Sequence, residues 1–158
     1  MPDYSVWMLW ESNLSLTGGV TLDGITQGDG SHLVGEYLTI NSTTTQEVFV
    51  SDNETSFDDN DGNQRLNGAQ TIDGITYADN SIIEAEYQIV VEDESTGIQY
   101  TIIGINIVSD SPPFGTVEGI GFVGSVPPVG APLRIISASE GPGSSGEDAI
   151  DETLVIPY

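Results

Sequence analysis

The run Ile82-Ile-Glu-Ala-Glu-Tyr-Gln-Ile-Val-Val91 decides the fold class of this chain. From Ile83 to Val91 every second residue is apolar, and most of the residues between them are Glu or Gln. A period of two places alternate side chains on opposite faces of a β-strand, so one face is buried and the other is solvated. A helix is the competing interpretation of a stretch without Gly or Pro, but the strict alternation and the β-branched residues favour a strand.

Neighbouring runs extend the β pattern along the chain. A turn at 94–97 precedes a second apolar run at 98–108, and the two runs are predicted to pair as a long hairpin. Loops rich in Gly, Pro, Asp and Ser, such as 109–115 and 126–132, separate the other apolar runs. Those runs predict further strands at 4–9, 33–40, 47–50, 117–123, 133–139 and 153–156. Many short strands with turn signals predict an all-β fold, either an antiparallel β-sandwich or a β-roll.

An internal repeat relates residues 21–40 to residues 71–90. Nine identities occur at a constant offset of 50, namely Thr21/Thr71, Asp23/Asp73, Gly24/Gly74, Ile25/Ile75, Thr26/Thr76, Asp29/Asp79, Ser31/Ser81, Glu36/Glu86 and Tyr37/Tyr87. Each copy contains two turns that lead into a strand, so the repeat predicts two related β-units. We expect Tyr37 and Tyr87 to be buried, and Glu36 and Glu86 to be exposed.

The length of 158 residues allows one domain with a hydrophobic core. Residues 1–139 are predicted to form a single all-β domain that contains both repeat units. Residues 140–151 are small, acidic and rich in Gly and Ser. We therefore expect 140–158 to be a flexible acidic segment followed by a terminal strand.

The formal net charge of −23 comes from 25 acidic residues against Arg65 and Arg134. Such a surface repels phosphate backbones and anionic lipids, so nucleic acid is not an expected partner. No stretch approaches the roughly 20 apolar residues of a membrane span, so membrane insertion is not expected either. The chain has no cysteine, which excludes disulfides and thiolate zinc sites. Self-repulsion on this scale opposes folding and self-association unless cations, salt or paired carboxyl groups relieve it, and a divalent cation such as Ca²⁺ fits this need.

The acidic run Asp58-Asp-Asn-Asp-Gly-Asn63, preceded by Asp52 and Glu54, offers several oxygen ligands of the kind that Ca²⁺ requires. The run departs from an EF-hand, because the glycine comes fourth from Asp59 and Gln70 stands where a bidentate Glu belongs. An acidic, solvated turn is the alternative. The predicted metal ligands are Asp52, Asp58, Asp59, Asp61 and Asn63.

The repeat supplies a second set of candidate ligands, Asp23 with Asp29 and Asp73 with Asp79. In each copy two turns flank a short apolar segment, so the two carboxylates of each pair could bind one ion. Aspartates in turns more often cap backbone N–H groups through their side chains, and we favour this interpretation.

No catalytic site is predicted. His32 is the only histidine, and no nucleophile motif such as G-x-S-x-G accompanies it. With 25 acidic residues, any chosen carboxylate pair is uninformative about glycoside hydrolysis. The aromatic residues Trp7, Trp10, Tyr37, Tyr87, Tyr100, Phe114 and Phe122 would suit either a sugar-stacking platform or the core.

Several motifs form a set with a family resemblance: Asn-Gly-Ala-Gln-Thr-Ile-Asp-Gly-Ile-Thr-Tyr at 67–77, Ile-Glu-Ala-Glu-Tyr at 83–87, Gly-Thr-Val-Glu-Gly-Ile-Gly-Phe-Val at 115–123, Pro-Pro-Val-Gly-Ala-Pro-Leu at 127–133 and Ser-Ala-Ser-Glu-Gly-Pro at 137–142. This set resembles the region that precedes a Hedgehog/intein-type (Hint) autoprocessing domain in secreted bacterial proteins. The resemblance covers about residues 65–142.

The resemblance implies a function for the whole chain. A Hint domain begins with a nucleophilic cysteine and cleaves the peptide bond before it through an N-to-S acyl shift. This chain has no cysteine, so no catalytic residue carries over. The resemblance implies that the chain is the N-terminal product released by a downstream Hint domain, located outside the cell or at the surface of a bacterium.

Taken together, these patterns predict a non-catalytic extracellular structural subunit of a self-assembling fibre, surface layer or matrix, stabilised by Ca²⁺. The expected partner is another copy of the chain. The terminal strand with Thr153, Leu154, Val155 and Ile156 is the expected linking element. A carbohydrate-binding or adhesion module, with a glycan as partner, is the main alternative, and a small hydrolase is the third.

Overall fold

The fold is all-β, as the sequence predicts. A computed structural model describes residues 3–23, 28–108, 116–143 and 149–158. These residues form strands β1 (Asp3–Trp10), β2 (Leu14–Leu16), β3 (Tyr37–Ile40), β4 (Gln46–Ser51), β5 (Arg65–Leu66), β6 (Gln70–Ile72), β7 (Ile75–Tyr77), β8 (Ile82–Asp93), β9 (Ile98–Val108), β10 (Gly119–Val123), β11 (Leu133–Glu140) and β12 (Val155–Ile156). Short 3₁₀ turns lie at Glu11–Asn13, Ser31–Leu33 and Glu152–Leu154. The described residues contain no α-helix, and no helix among them could cross a bilayer.

Six antiparallel strands close into a barrel in the order β1-β4-β5-β8-β9-β10. Strand β1 completes the ring, because it pairs with β4 through Val6 and Val48 and with β10 through Leu9 and Ile120. The sequence predicted a sandwich or a roll. A closed barrel forms instead. The sequence did not indicate it, because β1 and β10 are far apart in sequence and their pairing leaves no local signal.

Further strands extend this barrel. Strands β11, β3 and β2 continue outward from β8, and β12 pairs with β10. Strands β6 and β7 form a separate hairpin. The predicted hairpin of β8 and β9 is confirmed, with Asp93 opposite Ile98 at the turn.

A β-bulge in β8 allows this one strand to serve two cores. Ala85 lies opposite Ile105, whereas Tyr87 lies opposite Gly104, so Glu86 is the extra residue. Alternate residues before and after a bulge face opposite sides of the sheet. Ile83 and Ala85 therefore join the first core, within the barrel, and Tyr87, Ile89 and Val91 join the second core, between the barrel and the added strands.

The described parts of the two repeat copies differ in structure; residues 24–27 of the first copy lie outside the described residues. Residues 31–33 form a 3₁₀ turn before the short β3, whereas the second copy runs from the β6–β7 hairpin into most of β8. Tyr87 is fully buried, and its hydroxyl donates to Leu22 O at 2.7 Å. Tyr37 is only partly buried and its hydroxyl donates to Glu94, so the prediction of two buried tyrosines is wrong for Tyr37. Glu86 is half-buried, contrary to the expectation of a solvated side chain.

The described parts of the segment 140–158 pack against the barrel. Gly141, Pro142 and Ile150 are buried. Strand β12 pairs with β10, and the predicted strand 153–156 begins within a 3₁₀ turn. Residues 144–148 of the predicted flexible segment, and the predicted loop 109–115, lie outside the described residues.

Candidate functional site

A group of carboxylates lies in the loop between β4 and β5. Ligand oxygens of Asp52, Glu54 and Asp61 all lie within 4.8 Å of one another. We call these residues, together with Asp58, the loop site. The fully buried Phe57 anchors the loop, and its N–H donates to Ile150 O at 2.8 Å.

Two carboxylate oxygens of the loop site are buried without a hydrogen-bond donor. Asp58 is 7% exposed; its Oδ2 accepts from Ser56 Oγ at 2.8 Å, but its Oδ1 has no partner among the described residues. Asp61 Oδ2 is also buried and has no hydrogen-bond partner among the described residues. Hydrogen bonds to Asp58 and then to Asp61 raise the pKa of Glu54 to about 7, so near neutral pH a proton on Glu54 competes with a cation for these oxygens. A cation among these oxygens would supply the missing partner and offset the repulsion.

Tyr4 holds the fully buried Asp52 in place. Its hydroxyl donates to Asp52 Oδ2 at 2.9 Å, and Asn53 N donates to Oδ1 at 2.7 Å. Burial raises the pKa of Asp52, and burial followed by the bond to Asp52 raises the pKa of Tyr4. Tyr4 therefore remains a hydrogen-bond donor at neutral pH and fixes the orientation of this ligand.

Gln64 fixes the backbone beneath the site. Its side chain is fully buried, accepts from Asp58 N at 2.8 Å and donates to Asp58 O at 2.9 Å and Ile83 O at 2.8 Å. These bonds fasten the loop to β8. Sequence reasoning missed Gln64, because a lone glutamine beside a short strand carries no distinctive pattern.

Asp59 belongs to a different cluster. Ligand oxygens of Asp59, Glu84 and Glu86 lie within 4.8 Å of one another. Burial, and then Glu86 and Glu84, raise the pKa of Asp59 to about 7. The predicted ligand set is thus divided between two clusters. Sequence reasoning assigned Glu84 and Glu86 to a solvated strand face.

The remaining predicted ligands have separate hydrogen-bonding roles. Asn63 is exposed, and its backbone N–H donates to Asp61 Oδ1 at 2.9 Å. Asp29 Oδ1 accepts from Ser31 N at 3.0 Å, which is the local cap expected in a turn. Asp79 Oδ1 accepts from Gly68 N at 2.9 Å and joins two loops.

Asp23 and Asp73, which correspond to each other in the repeat, line one cavity. The cavity has a volume of about 240 Å³, and we call it the acidic cavity. Its lining residues are Glu11, Asp23, Ile72, Asp73, Ile75, Tyr77, Thr116, Val117 and Glu118. Burial raises the pKa of Glu118 to about 7 and that of Tyr77 to about 12. Sequence reasoning identified neither Glu11 nor Glu118 as a site residue.

Other predicted residues have defined surroundings. His32 Nε2 lies 2.9 Å from Thr21 O, and its ring meets Tyr87 edge-on. In the predicted linking element, Val155 is buried, Thr153 and Leu154 are exposed, and Ile156 is partly buried. Among the aromatic residues, Phe122 is buried, Trp10 and Tyr100 pack against the two cores, and Trp7 is partly buried. Phe114 lies outside the described residues.

Comparison with protein-family models, curated proteins and solved structures finds no match to this chain.

Proposed function

We propose that this protein is a non-catalytic extracellular structural subunit whose β-barrel is stabilised by Ca²⁺ at the loop site. The observation that carries the proposal is Asp58 Oδ1, a buried carboxylate oxygen with no hydrogen-bond partner among the described residues. Its side chain is hydrogen-bonded to Glu54, which is also hydrogen-bonded to Asp61, and Ca²⁺ would replace the proton that these carboxyl groups share. Burying such an oxygen without a partner costs free energy that a bound cation would offset.

The donor set favours Ca²⁺ over zinc. The loop site offers carboxylate oxygens from four residues, and Ca²⁺ takes six to eight oxygen ligands, which include backbone carbonyls and water. Zinc prefers nitrogen and sulfur ligands. The chain has no cysteine, and its one histidine, His32, makes its contact with Thr21.

A bound ion would join distant parts of the chain. The loop leaves β4 at Asp52, is bonded to β8 through Gln64, and contacts the C-terminal segment through the bridge between Ser56 and Asp151. Because the site requires the folded loop, Ca²⁺ at about 100 times its dissociation constant would add about 2.7 kcal/mol of stability.

Self-assembly is the second part of the proposal. Copies with a net charge of −23 repel one another unless cations or salt intervene. Extracellular Ca²⁺-binding modules operate with dissociation constants of about 10⁻⁴ to 10⁻³ M, which fits a bacterial protein that assembles only after export. Release by a downstream Hint domain remains part of this proposal.

Glycan binding is a second candidate, supported by one feature of the barrel surface. Ser5 pairs with Phe49 and Trp7 pairs with Glu47 on adjacent strands, so Trp7 and Phe49 are diagonal neighbours on one face. Phe49 is 47% exposed, and neither aromatic side chain belongs to a core cluster. Retention of the protein on a glycan array, lost in Trp7→Ala, would favour this candidate.

Thermal unfolding in millimolar Ca²⁺ and in EGTA tests the proposed function. We expect Ca²⁺ to raise the melting temperature of the native protein and of Asp3→Asn, a control that removes one exposed charge. We expect Asp61→Asn to melt higher than the native protein in EGTA, because repulsion is relieved, and to gain nothing from Ca²⁺. An equal response to Ca²⁺ in Asp61→Asn and Asp3→Asn would reject the loop site.

A further inference from the structure

We propose that Ca²⁺ at the loop site holds the C-terminal segment, residues 149–158, against its own barrel, and that loss of the ion frees this segment together with β12. The segment contains β12 and the 3₁₀ turn before it. Because this role requires the loop site to bind Ca²⁺, it rests on the proposed function. It goes further in giving the ion control over one part of the chain.

Three residues of the loop lie alongside three residues of the C-terminal segment. Two backbone hydrogen bonds and one isolated bridge join them: Phe57 N–H donates to Ile150 O at 2.8 Å, Glu152 N–H donates to Thr55 O at 2.9 Å, and Ser56 lies opposite Asp151. The paired loop residues, 55–57, lie between Glu54 and Asp58, which both belong to the loop site. An ion that fixed these two carboxylates would therefore fix the stretch that pairs with the segment.

Ser56 connects this pairing directly to the ligands of the loop site. Its hydroxyl donates to Asp58 Oδ2 at 2.8 Å. Its carbonyl oxygen lies 3.2 Å from the hydroxyl of Tyr4, which holds Asp52. The residue opposite Asp151 thus contacts one ligand and the residue that orients another. A movement of these carboxylates would displace Ser56 and disturb its pairing with the segment.

The other attachments of the segment are short. Strand β12 has two residues, which pair with Phe122 and Val123 of β10, and the side chains of Ile150 and Val155 lie in the first core. Among the described residues, the backbone of 150–152 is bonded outside the segment only to the loop. Chain termini open locally at a lower free-energy cost than central strands. We therefore expect the segment to open more readily than the barrel, and the loop to control how readily it does so.

The loop site without an ion opposes the docked arrangement. Asp58 Oδ1 and Asp61 Oδ2 are buried and have no hydrogen-bond partner among the described residues. Without a cation, movement of these oxygens into water would supply hydrogen-bond partners and relieve the repulsion between carboxylates. A bound cation reverses this preference, because it requires the oxygens to converge. Ca²⁺ thus binds the docked arrangement more tightly than the open one, which is the differential affinity that a ligand-controlled change requires.

Control of the segment also extends to the exposed side chain of Leu154. Leu154 is 45% exposed and ends the 3₁₀ turn directly before β12. Docking of the segment fixes the position of this side chain on the surface. Ca²⁺ would therefore favour contact with a second copy by ordering this turn as well as by screening charge.

Amide hydrogen exchange in EGTA and in Ca²⁺ tests the proposal, with calorimetry of the same preparations to measure Ca²⁺ binding. The reporting groups are the N–H groups of Phe57, Gly124 and Glu152, each of which belongs to a backbone hydrogen bond between the segment and the rest of the protein. Ca²⁺ at about 100 times its dissociation constant lowers the population of a state that cannot bind it about 100-fold. We therefore expect the protection of these three amides to rise about 100-fold. The control is Thr17 N–H, which donates to β3 and is expected to change less than twofold.

Two variants test whether the response originates at the loop site. Asp61→Asn removes one ligand charge from the loop site and is expected to abolish the response of the three amides to Ca²⁺. Asp3→Asn, which removes an exposed charge, is expected to keep the response within twofold of the native protein. An equal response in the two variants, or a response of Thr17 as large as that of the three amides, would overturn the proposal.

Calorimetry separates failure of this role from failure of the proposed function. Absence of Ca²⁺ binding would overturn the proposed function and the control of the segment together. Ca²⁺ binding that left the three amides unchanged would overturn the control of the segment but not the loop site. Equal protection of these amides and of the central amides of β8 in EGTA would mean that the segment opens only with the whole barrel, and would also overturn it.

Discussion

Gly104 lies directly opposite Tyr87 in the ladder between β8 and β9, and a Cβ atom on Gly104 would lie 2.6 Å from Cζ of the Tyr87 ring. Tyr87 is the residue immediately after the bulge, and its hydroxyl reaches Leu22 in the second core. The absence of a side chain on Gly104 therefore creates the space in which the ring lies.

Replacement of Gly104 by Ala is expected to destabilise the fold by about 1–3 kcal/mol, because the added methyl group would displace a fully buried ring. Gly62→Ala is the control, since a Cβ atom there meets nothing within 4 Å. We expect the control to stay within about 0.5 kcal/mol of the native protein. Urea unfolding measures both, and equal midpoints would contradict the steric role of Gly104.

Stability without Ca²⁺ is expected to fall as pH rises from about 4.5 to about 7. Burial raises the pKa of Glu118 to about 7 in the folded protein, so the folded state holds a proton that the unfolded state has already released. The free-energy cost of ionising the buried Glu118 is absent below its pKa in the unfolded state. This cost grows as the pH rises from about 4.5 to about 7 and is fully present above pH 7.

Glu118→Gln isolates this contribution to the pH dependence. The variant keeps an acceptor for Ile107 N and removes the charge, so we expect it to be more stable than the native protein at pH 8 by up to about 3 kcal/mol. At pH 4 the two proteins are expected to be equally stable. Melting temperatures in EGTA between pH 4 and pH 8 provide the measurement. A difference between the two proteins that does not change with pH would contradict the role of Glu118.

Gln64→Leu is expected to destabilise the protein by roughly 3 kcal/mol or more, because it leaves buried backbone groups of Asp58 and Ile83 unpaired. We also expect a weaker response to Ca²⁺, since the loop loses its attachment to β8. Gln99→Leu is the matched control, because Gln99 is exposed and its amide bonds only Glu92 among the described residues. The role assigned to Gln64 is wrong if both variants unfold at the same urea concentration.

Assembly is expected to require divalent cations or salt. Lowering the ionic strength from about 0.15 M to about 0.01 M extends the Debye length from about 8 to 30 Å, so copies would repel across most of their diameter. Light scattering across Ca²⁺ and NaCl titrations provides the measurement. A monomer throughout, including at millimolar Ca²⁺, would exclude a self-assembling subunit.

The 3₁₀ turn before the C-terminal strand β12 offers a finer test of assembly. Leu154 in this turn is 45% exposed, whereas Val155 in β12 is buried in the first core, so Leu154 can be changed without disturbing the barrel. We expect Leu154→Asp to reduce assembly and to leave the melting temperature within a few degrees of the native value. Leu154→Asn, which adds no charge, controls for the polar replacement. Assembly of Leu154→Asp at the Ca²⁺ concentration that the native protein requires would exclude this turn from the interface.

Local pattern predicted the longer strands, but it predicted neither the short strands β2, β5, β6 and β7 nor the way in which the strands close. The alternation at Ile83 to Val91 and the turn before Ile98 specify a hairpin from neighbouring residues alone. Closure depends on contacts such as Leu9 with Ile120, which no local period encodes. The sequence does not indicate the bulge at Glu86 either. The alternation of apolar residues continues through the bulge, although the face of the sheet on which they are buried changes there.

The candidate site could be predicted in part. Of the ligands predicted from the acidic run, Asp52 and Asp61 lie together with Glu54, whereas the prediction treated consecutive residues as one group. Asp58 joins the loop site and Asp59 contacts Glu84 and Glu86, because successive side chains of an extended segment point in different directions. The acidic cavity brings together Glu11 and Glu118, which are far apart in the sequence, so only the folded barrel reveals it.

The shared strand β8 also determines how the protein should unfold. Its first half supplies Ile83 and Ala85 to one core, and its second half supplies Tyr87, Ile89 and Val91 to the other. An intermediate that kept either core would have to hold half of this strand in place while the other half entered water. Both cores should therefore melt in a single cooperative transition, with equal calorimetric and van't Hoff enthalpies.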